Sequence, residues 1–382
     1  MTERRGKKRN VIQYAAIVTI ALILPGCRTS AEVVSEPPPI PEIQNVFKQP
    51  LLQFKTPGSL DFCGESVPLE RREVWERLDK QFLFALNREA QVILWLKRSR
   101  QYFPYIEEEL KKRGLPDDLK YLAVAESDLN KYALSPSGAA GTWQFMKQTG
   151  TRFGLAREEW TDQRYSFVKS TAAALNYLST LHEQFGKWML AAAAYNCGEE
   201  RLAREIEEQN TEQYVDLSLP KETEEYLFRI MAIKIILSNP AQYGFMLEES
   251  ECYLPGDAEE VEITLPGMFH MRIIAEAAKT NYRTIKELNP DLRGYYLPEG
   301  NHRLFIPGSA VEGFNQRLSA SLAEADKGMR TIHIVRKGDT LSGIAKRLDI
   351  PLEKLLQWND IAGSEGLNLG QKLIYYRPYE KQ

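Results

Sequence analysis

The segment that decides the fold runs from Glu126 to Thr149 and reads ESDLNKYALSPSGAAGTWQFMKQT. It begins with one carboxylate at the end of an apolar helical run, residues 119–125 (LKYLAVA). A loop of small and turn-forming residues follows at 135–141 (SPSGAAG), and Trp143 then opens a second apolar run. An acid between an apolar helix end and a small-residue loop predicts a side chain that faces a cleft.

Glu126 has the character of a general acid if its surroundings bury it. Partial burial raises the pKa of a glutamic acid to about 6, which keeps a proton available near neutral pH. Such a group can protonate a leaving oxygen and accelerate bond cleavage by about 10²- to 10⁴-fold. The spacing alone favours the plainer interpretation, a solvated glutamate at a helix end, so the assignment depends on the surrounding residues.

Side chains suited to a carbohydrate accompany this acid. Gly141 lets the backbone approach a ligand closely, and the amides of Gln144 and Asn196 suit the amide and hydroxyl groups of sugars. Tyr195 and Trp143 carry rings that can line a saccharide groove, although a core position is the default for Trp143. Together these residues favour a cleft over an isolated surface glutamate.

Outward from this segment the chain is mostly helical. Apolar residues recur every three to four positions over 67–113, and Gly114 ends that run. Pro116 begins the helix that carries the candidate acid, and a further helix spans 166–185. The pattern predicts a mainly α domain over residues 61–255.

Three sequence blocks give this helical region a family resemblance. The first, E-S-x7-S-x-x-G-A-x-G-x-W-Q-F-M, spans 126–146; the second, A-Y-N-x-G-x-x-R, spans 194–201; the third, L-P-x-E-T-x-x-Y, spans 219–226. Their order and spacing resemble those of the lytic transglycosylases of the soluble-lytic-transglycosylase-like family. The resemblance covers nearly all of residues 65–240 and implies a lysozyme-like helical fold.

The resemblance implies that Glu126 is the catalytic acid and base and that peptidoglycan strands are the substrate. Ordinary glycosidases use two carboxylates, whereas these blocks offer one at the reacting centre. Glu126 is expected to protonate the oxygen between N-acetylmuramic acid and N-acetylglucosamine and then to take the proton of the muramoyl O6 hydroxyl, which leaves a 1,6-anhydro sugar. No metal or other cofactor is implied. The residues expected to line the site are Ser135, Gly141, Gln144, Met146, Tyr195, Asn196, Glu222 and Tyr226.

Two alternatives remain open at this point. The first is a lysozyme-type hydrolase on the same fold, which uses water and releases a reducing sugar. The second is a non-catalytic cell-wall-binding lipoprotein, which the presence of Glu126 and all three blocks disfavours.

A small unit occurs twice in the C-terminal third of the chain. Ile274 and Asn289 recur as Ile344 and Asn359, an offset of 70 residues. Each copy has the pattern strand, helix, helix, strand. The sequence therefore predicts a pair of βααβ modules after the helical domain.

The second copy, residues 331–378, resembles a LysM module through the segment 332–341 (IHIVRKGDTL). This implies binding of N-acetylglucosamine chains, with a packing module that has no sugar affinity as the alternative. The first copy, 256–308, lacks the G-D-T loop and is predicted to be a degenerate LysM-like module. The polar, Ala- and Ser-rich segment 309–330 between them is predicted to be a linker with some tendency to form a helix. The implied glycan-binding residues are Gly338, Asp339, Thr340, Leu341, Asn359 and Ile361.

Residues 1–26 have the features of an export signal. Five basic residues precede a 14-residue apolar run at 11–24, which is shorter than a membrane-spanning helix. The run leads to LPGC, which resembles a bacterial lipobox and implies that Cys27 is lipidated; an uncleaved anchor or a plain secretory signal is the alternative. Because Arg28 stands where inner-membrane lipoproteins carry Asp, we expect a lipid anchor in the outer membrane, facing the periplasm. Residues 27–60 are proline-rich and predict an extended tether.

The charge balance and the cysteines restrict the partners. With 49 basic and 52 acidic residues, the chain has a net charge of −3, and removal of the basic signal makes it more negative. The net charge therefore gives no general electrostatic attraction to nucleic acid.

The histidines are scattered along the sequence and no CxxC motif occurs, so a zinc site has no support. Cys63 and Cys252 flank the helical region and are able to form a disulfide after export, whereas Cys197 is expected to be a small buried residue. We expect a monomer.

Overall fold

A computed structural model describes residues 51–359, 361 and 366–376 of the 382-residue chain. The predicted export signal, the lipidation site Cys27 and most of the predicted tether lie outside the described residues. Across the described ranges, no helix combines the length and the apolar character needed to cross a membrane.

The N-terminal part of the described chain is built almost entirely from helices, which confirms the mainly α prediction. A short antiparallel hairpin of β1 (Asp61–Phe62) and β2 (Glu65–Ser66) precedes them. The helices are α1 (Arg72–Asn87), α2 (Glu89–Arg113), α3 (Lys120–Ser127), α4 (Lys147–Arg152), α5 (Phe167–Phe185), α6 (Trp188–Cys197), α7 (Glu199–Gln209) and α8 (Lys221–Ser238).

Helix α8 is the buried centre of this domain. Its residues Tyr226, Phe228 and Ile233 are each 1% exposed, and it packs against α1, α3 and α6. A helix that is apolar around most of its circumference is stable only when neighbours cover it on several sides. Helix α8 therefore fixes the relative positions of α3 and α6, which carry parts of the first and second sequence blocks.

Two small α/β modules follow, as the 70-residue repeat predicts. In the first, β3 pairs antiparallel with β6 in the register Ile263↔His302, and in the second β7 pairs antiparallel with β8 in the register Ile332↔Ile374. The first module contains β3 (Ala258–Leu265), β4 (Phe269–His270), α9 (Met271–Ala277), α10 (Tyr282–Leu288), β5 (Tyr296–Leu297) and β6 (Gly300–Pro307). The second contains β7 (Arg330–Ile334), α12 (Leu341–Leu348), α13 (Leu352–Trp358) and β8 (Lys372–Tyr376).

One asparagine makes the same three hydrogen bonds in each module. The Asn289 side-chain amide donates to Ile285 O at 2.8 Å and to Phe305 O at 2.7 Å, and its Oδ1 accepts the Phe305 N–H at 2.6 Å. Asn359 makes the corresponding bonds to the end of α13 and to β8, at 2.8, 2.7 and 2.6 Å. We call this arrangement the asparagine clamp, because it ties the end of the second helix to the last strand.

The segment 309–330 differs from its prediction as a linker. It contains helix α11 (Phe314–Met329), which packs against α9. Phe314 and Leu318 are 1% and 4% exposed and belong to the hydrophobic core of the first module. The helix tendency expected for this segment is confirmed, whereas its docking on the first module was not predicted. Leu322 and Ala325 of the same helix also pack against that core.

The three cysteines in the described part of the chain, Cys63, Cys197 and Cys252, are free thiols, so the suggested pairing of Cys63 with Cys252 is not formed in the structure. The Cys63 N–H donates to the Asp118 carboxylate at 2.7 Å, whereas the Cys252 thiol donates to Glu248 O at 3.6 Å. Burial and the charge of Asp118 raise the pKa of the Cys63 thiol, which keeps it protonated and unreactive. Among the described residues, no group of three His, Cys, Asp or Glu is arranged to hold a metal ion.

Candidate active site

The candidate acid lies one residue before the end of α3, where the chain reverses. Asp128 and Leu129 both have φ 57, in the left-handed region that non-glycine residues seldom adopt. Two side chains from α2 hold this turn: Trp95 Nε1 donates to the Asp128 carboxylate at 2.6 Å, and Arg98 donates to Asp128 O at 2.8 Å. The reversal leaves Glu126 at the edge of the helix rather than along its buried face.

The surroundings of Glu126 shift its pKa into the neutral range. The side chain is half-buried, and its Oε1 accepts a hydrogen bond of 2.5 Å from the Tyr226 hydroxyl. Burial raises the pKa of Glu126 to about 7; the Tyr226 bond and the charge of Arg229 act to lower that pKa, and the charge of Glu222 acts to raise it. Near pH 7 the carboxyl is therefore about half protonated and is able both to give and to take a proton.

The loop after α3 is closed on itself and tied to the end of that helix. Ala140 pairs with Phe145 in an antiparallel bridge. Ser127, the neighbour of Glu126, donates its hydroxyl to Thr142 O at 2.7 Å. Any displacement of the loop is therefore transmitted to the residue beside the candidate acid.

Gly141 and Gln144 shape this loop from within. Gly141 has φ +80, and a Cβ at this position would lie 1.9 Å from Arg164 O. Gln144 also has positive φ, and its side-chain amide donates to Gly141 O at 2.8 Å. The amide of Gln144, which the sequence assigns to sugar binding, thus also supports the loop.

Tyr195 and Asn196 reach the same place from the end of α6. The Tyr195 hydroxyl donates to Trp143 O at 2.7 Å, and burial and the charge of Glu126 raise the pKa of Tyr195 well above its usual value. Asn196 Oδ1 accepts a hydrogen bond of 2.8 Å from the Thr223 hydroxyl at the start of α8. The ends of α3 and α6 and the beginning of α8 therefore meet at Glu126.

The other predicted residues of the site lie in the loop or on the surface. Ser135 is half-buried, and its Oγ accepts the Ala139 N–H at 2.9 Å. Met146 is 46% exposed and Glu222 is exposed as well. Trp143 is fully buried, which confirms the default expectation that its ring belongs to the hydrophobic core.

Sequence reasoning missed a buried ion pair beneath the loop. The guanidinium of Arg164 donates to both carboxylate oxygens of Asp162 at 2.9 and 2.8 Å, and its Nη1 donates to Gly138 O at 2.8 Å and to Phe145 O at 3.0 Å. Asp162 and Arg164 are 3% and 4% exposed. Their D-x-R spacing is too common to signal a role. Arg229, whose charge acts on Glu126, was also missed, because it lies beyond the third sequence block.

In the second module, two predicted glycan-binding side chains are already engaged within the protein. Asp339 Oδ2 accepts the Arg336 N–H at 2.9 Å and lies 2.8 Å from His333 Nε2, and its Oδ1 accepts from Arg347 at 3.0 Å. These bonds lower the pKa of Asp339. Asn359 is the clamp residue described above. The other predicted residues occupy the loop before α12, its first turn and the end of α13: Gly338, Thr340, Leu341 and Ile361.

Replacing Tyr226 by Phe is expected to move the pH dependence of bond cleavage upward. The Tyr226 hydroxyl stabilises the Glu126 carboxylate, so its loss raises the pKa of Glu126, by about one unit. In the reaction that the resemblance implies, the protonated acid acts first, so we expect the descending limb of the kcat/KM profile to move to higher pH. A matched control is Tyr214→Phe, since the buried Tyr214 hydroxyl bonds to Thr223 O at 2.6 Å instead. A limb that stays in place in Tyr226→Phe would contradict the assigned role of this bond.

Comparison with known families gives three matches along the chain. Residues 103–217 match the family described as Transglycosylase SLT domain. Residues 260–323 match the family described as Lytic transglycosylase MltD, LysM-like domain, and residues 333–374 match the LysM domain. These matches confirm the resemblance drawn from the sequence blocks and from the C-terminal repeat.

Individual relatives agree with the family matches. The chain is 31% identical over 291 residues to membrane-bound lytic murein transglycosylase D of Escherichia coli, which covers 72% of this chain and 63% of that protein. The chain thus spans less than two thirds of this relative's length. It is also 40% identical over 117 residues to a putative tributyltin chloride resistance protein of an Alteromonas species, covering 30% of this chain and 56% of that protein.

Two solved structures are similar to part of this chain. An inactive mutant of the lytic transglycosylase Slt from Pseudomonas aeruginosa matches with a TM-score of 0.30 and 25% identity over 39% of this chain and 26% of its own. The 70 kDa soluble lytic transglycosylase of Escherichia coli matches with a TM-score of 0.33 and 18% identity over 46% of this chain and 32% of its own.

Proposed function

Because this chain carries a transglycosylase SLT domain followed by two LysM-type domains, we propose that it is a lytic transglycosylase of peptidoglycan. It cleaves the β-1,4 bond between N-acetylmuramic acid and N-acetylglucosamine and leaves 1,6-anhydromuramoyl ends. The proposal rests mainly on the surroundings of Glu126, which is half-buried, has a pKa raised to about 7 and accepts a hydrogen bond from Tyr226. One such group is suited to both proton transfers of the reaction.

The proposed reaction uses Glu126 twice. Its protonated carboxyl donates to the glycosidic oxygen as the bond from that oxygen to the muramoyl C1 breaks, and the substrate's own N-acetyl group stabilises the positive charge at C1. The carboxylate then takes the proton of the muramoyl O6 hydroxyl while O6 bonds to C1. No water is consumed, and Glu126 returns to its protonated form.

A single carboxylate at C1 fits the layout around Glu126. Ordinary glycosidases need a second carboxylate as nucleophile or base. Glu222 is the other acid whose charge acts on Glu126, and it is exposed at the start of α8. We assign Ser135 and Tyr195 to orienting the groups near Glu126 and the N-acetyl group, and we assign Glu222 to holding the substrate on the far side of the cleft.

We further propose that the helical domain and the second LysM-type module have different roles. Residues 61–255 carry catalysis, and residues 331–378 hold the glycan strand through the loop around Gly338 and through Ile361, because Asp339 is occupied by internal bonds.

For the cellular location, we propose a lipid anchor at Cys27 and a tether over 27–60 that place a monomer at the outer membrane, facing the periplasm. The membrane-bound murein transglycosylase among the relatives supports a place in the cell envelope.

Digestion of purified peptidoglycan in ¹⁸O-labelled water tests the reaction. We expect the full-length protein to release muropeptides that end in 1,6-anhydro sugars and carry no ¹⁸O at the new ends, because O6 of the same sugar is the nucleophile. Labelled reducing ends would assign the chain to lysozyme-type hydrolysis. An absence of soluble products would contradict a cleaving enzyme altogether.

A further inference from the structure

The first LysM-type module is joined to the helical domain by paired main chains. We call this contact the junction, which consists of residues 160–162 and residues 291–293. Asp162 N donates to Asp291 O at 2.8 Å, and Arg293 N donates to Trp160 O at 2.8 Å. Thr161 and Leu292 between them form an antiparallel bridge. The module is thus joined to the helical domain by one antiparallel bridge and the two main-chain hydrogen bonds beside it.

The junction continues into the buried ion pair beneath the catalytic loop. Asp162 contributes its N–H to the junction and its carboxylate to Arg164. Arg164 in turn holds Gly138 O and Phe145 O, which lie on either side of Gly141 in the loop. A continuous set of hydrogen bonds therefore runs from the module to the loop that is tied to the end of α3.

A second connection reaches the beginning of the same loop. Lys131, five residues after Glu126, donates its ammonium to Glu287 O in α10 at 2.6 Å. Lys169 lies 3.6 Å from the carboxylate of Asp291, which is 8% exposed. The module therefore contacts the helical domain at Lys131 and Lys169 as well as at the junction.

We propose that the first LysM-type module positions the catalytic loop through Asp162 and Arg164, and that turnover depends on this support whether or not the module binds glycan. Arg164 is then a positioning residue, and the inference rests on the proposed transglycosylase function. A planar guanidinium is suited to this place, because it meets one carboxylate and two carbonyls at once, which an ammonium cannot reproduce. Displacement of an active-site element by about 1 Å can lower the rate by about 10²-fold.

Substitution of Arg164 in the full chain tests the loop support. We expect Arg164→Met to lower kcat by about 10²-fold with KM for peptidoglycan within about twofold of wild type, and Arg164→Lys to recover part of the loss. Circular dichroism and thermal unfolding identify a temperature at which both variants are folded. Equal losses in the two variants, or a loss confined to KM, would overturn the positioning role.

Substitution at the junction tests whether the first LysM-type module supports the catalytic loop. Arg293→Pro removes the N–H that bonds to Trp160 O and also the guanidinium that donates to Glu158 O at 3.4 Å, and we expect it to lower kcat by about threefold to tenfold. The matched control is Arg303→Met, at an exposed position on β6, which should leave kcat unchanged. In the double variant with Arg164→Met, we expect kcat no lower than in Arg164→Met alone, because both changes break one path.

Two other outcomes would count against the inference. Additive losses in the double variant, or wild-type kcat in Arg293→Pro, would overturn it while leaving the proposed function intact. Inactivity of the wild-type protein on peptidoglycan would instead overturn the proposed function, so the two failures are distinguishable.

Discussion

The Glu126→Gln protein is expected to release anhydromuropeptides about 10²- to 10⁴-fold more slowly than wild type, with little change in KM. The amide keeps the size of the side chain and accepts the Tyr226 hydroxyl bond, but it neither donates a proton to the glycosidic oxygen nor takes one from O6. The measurement is the initial rate of soluble product release from sacculi. Glu208→Gln, at an exposed position on α7, is the control for loss of a carboxylate. Wild-type rates in Glu126→Gln would exclude Glu126 as the acid.

We also expect the thermal stability of Glu126→Gln to depend on pH differently from that of the wild-type protein. The pKa of Glu126 in the folded protein is about 7, above the ordinary 4.5. The folded state therefore holds this proton more tightly than the unfolded state does, so the stabilisation is complete below the ordinary pKa and is lost as pH rises through about 7. Gln does not ionise, so we expect the Tm of Glu126→Gln relative to wild type to rise between about pH 5 and pH 8, by the equivalent of up to about 3 kcal/mol. A Tm difference independent of pH would contradict the raised pKa.

Gly141→Ala is expected to destabilise the catalytic domain by about 2–5 kcal/mol and to abolish most activity. A left-handed conformation costs an alanine about 1–2 kcal/mol, and overpacking adds about 1–3 kcal/mol. The added Cβ meets the Arg164 carbonyl at 1.9 Å, and backbone on both sides must move to relieve the contact. The measurement is the shift in the unfolding transition together with kcat.

Gly138→Ala is the matched control for Gly141→Ala. Gly138 lies in the same loop and has φ +89, but no atom lies within 4 Å of the Cβ that it would gain. We therefore expect only the conformational cost, about 1–2 kcal/mol, and most of the activity. Equal destabilisation in the two variants would show that the contact with Arg164 does not constrain the loop.

Local patterns in the sequence predicted the helical architecture and the main residues of the site. Apolar periodicity and the stop at Gly114 predicted one helical run over 67–113, which the structure divides into α1 and α2. Helix α2 does end before Gly114, which has the left-handed conformation. The three blocks predicted that Glu126, Tyr195 and Tyr226 belong to one site, and the structure brings them together. The roles assigned to these residues stay predictions until the variants are measured.

Features that depend on contacts distant in sequence were not predictable from these patterns. Arg164 supports the loop by donating hydrogen bonds to the main-chain carbonyl groups of Gly138 and Phe145. Every residue has such a carbonyl group, so the residue types at these two positions do not indicate the bonds. The mostly polar composition of α11 did not reveal that its apolar residues, chiefly Phe314 and Leu318, pack on the first module. Asp339 matched a binding pattern, yet its carboxylate is engaged by its own module.

The asparagine clamps have a consequence for the order in which the chain gains structure. Each clamp joins backbone groups only 15 or 16 residues from the asparagine, so closing it costs little chain entropy. The helical domain instead depends on contacts such as Lys80 with Glu225, 145 residues apart, between α1 and α8. Folding rates fall as contacting residues become more distant in sequence. We therefore expect both C-terminal modules to fold early and the catalytic cleft to be completed last.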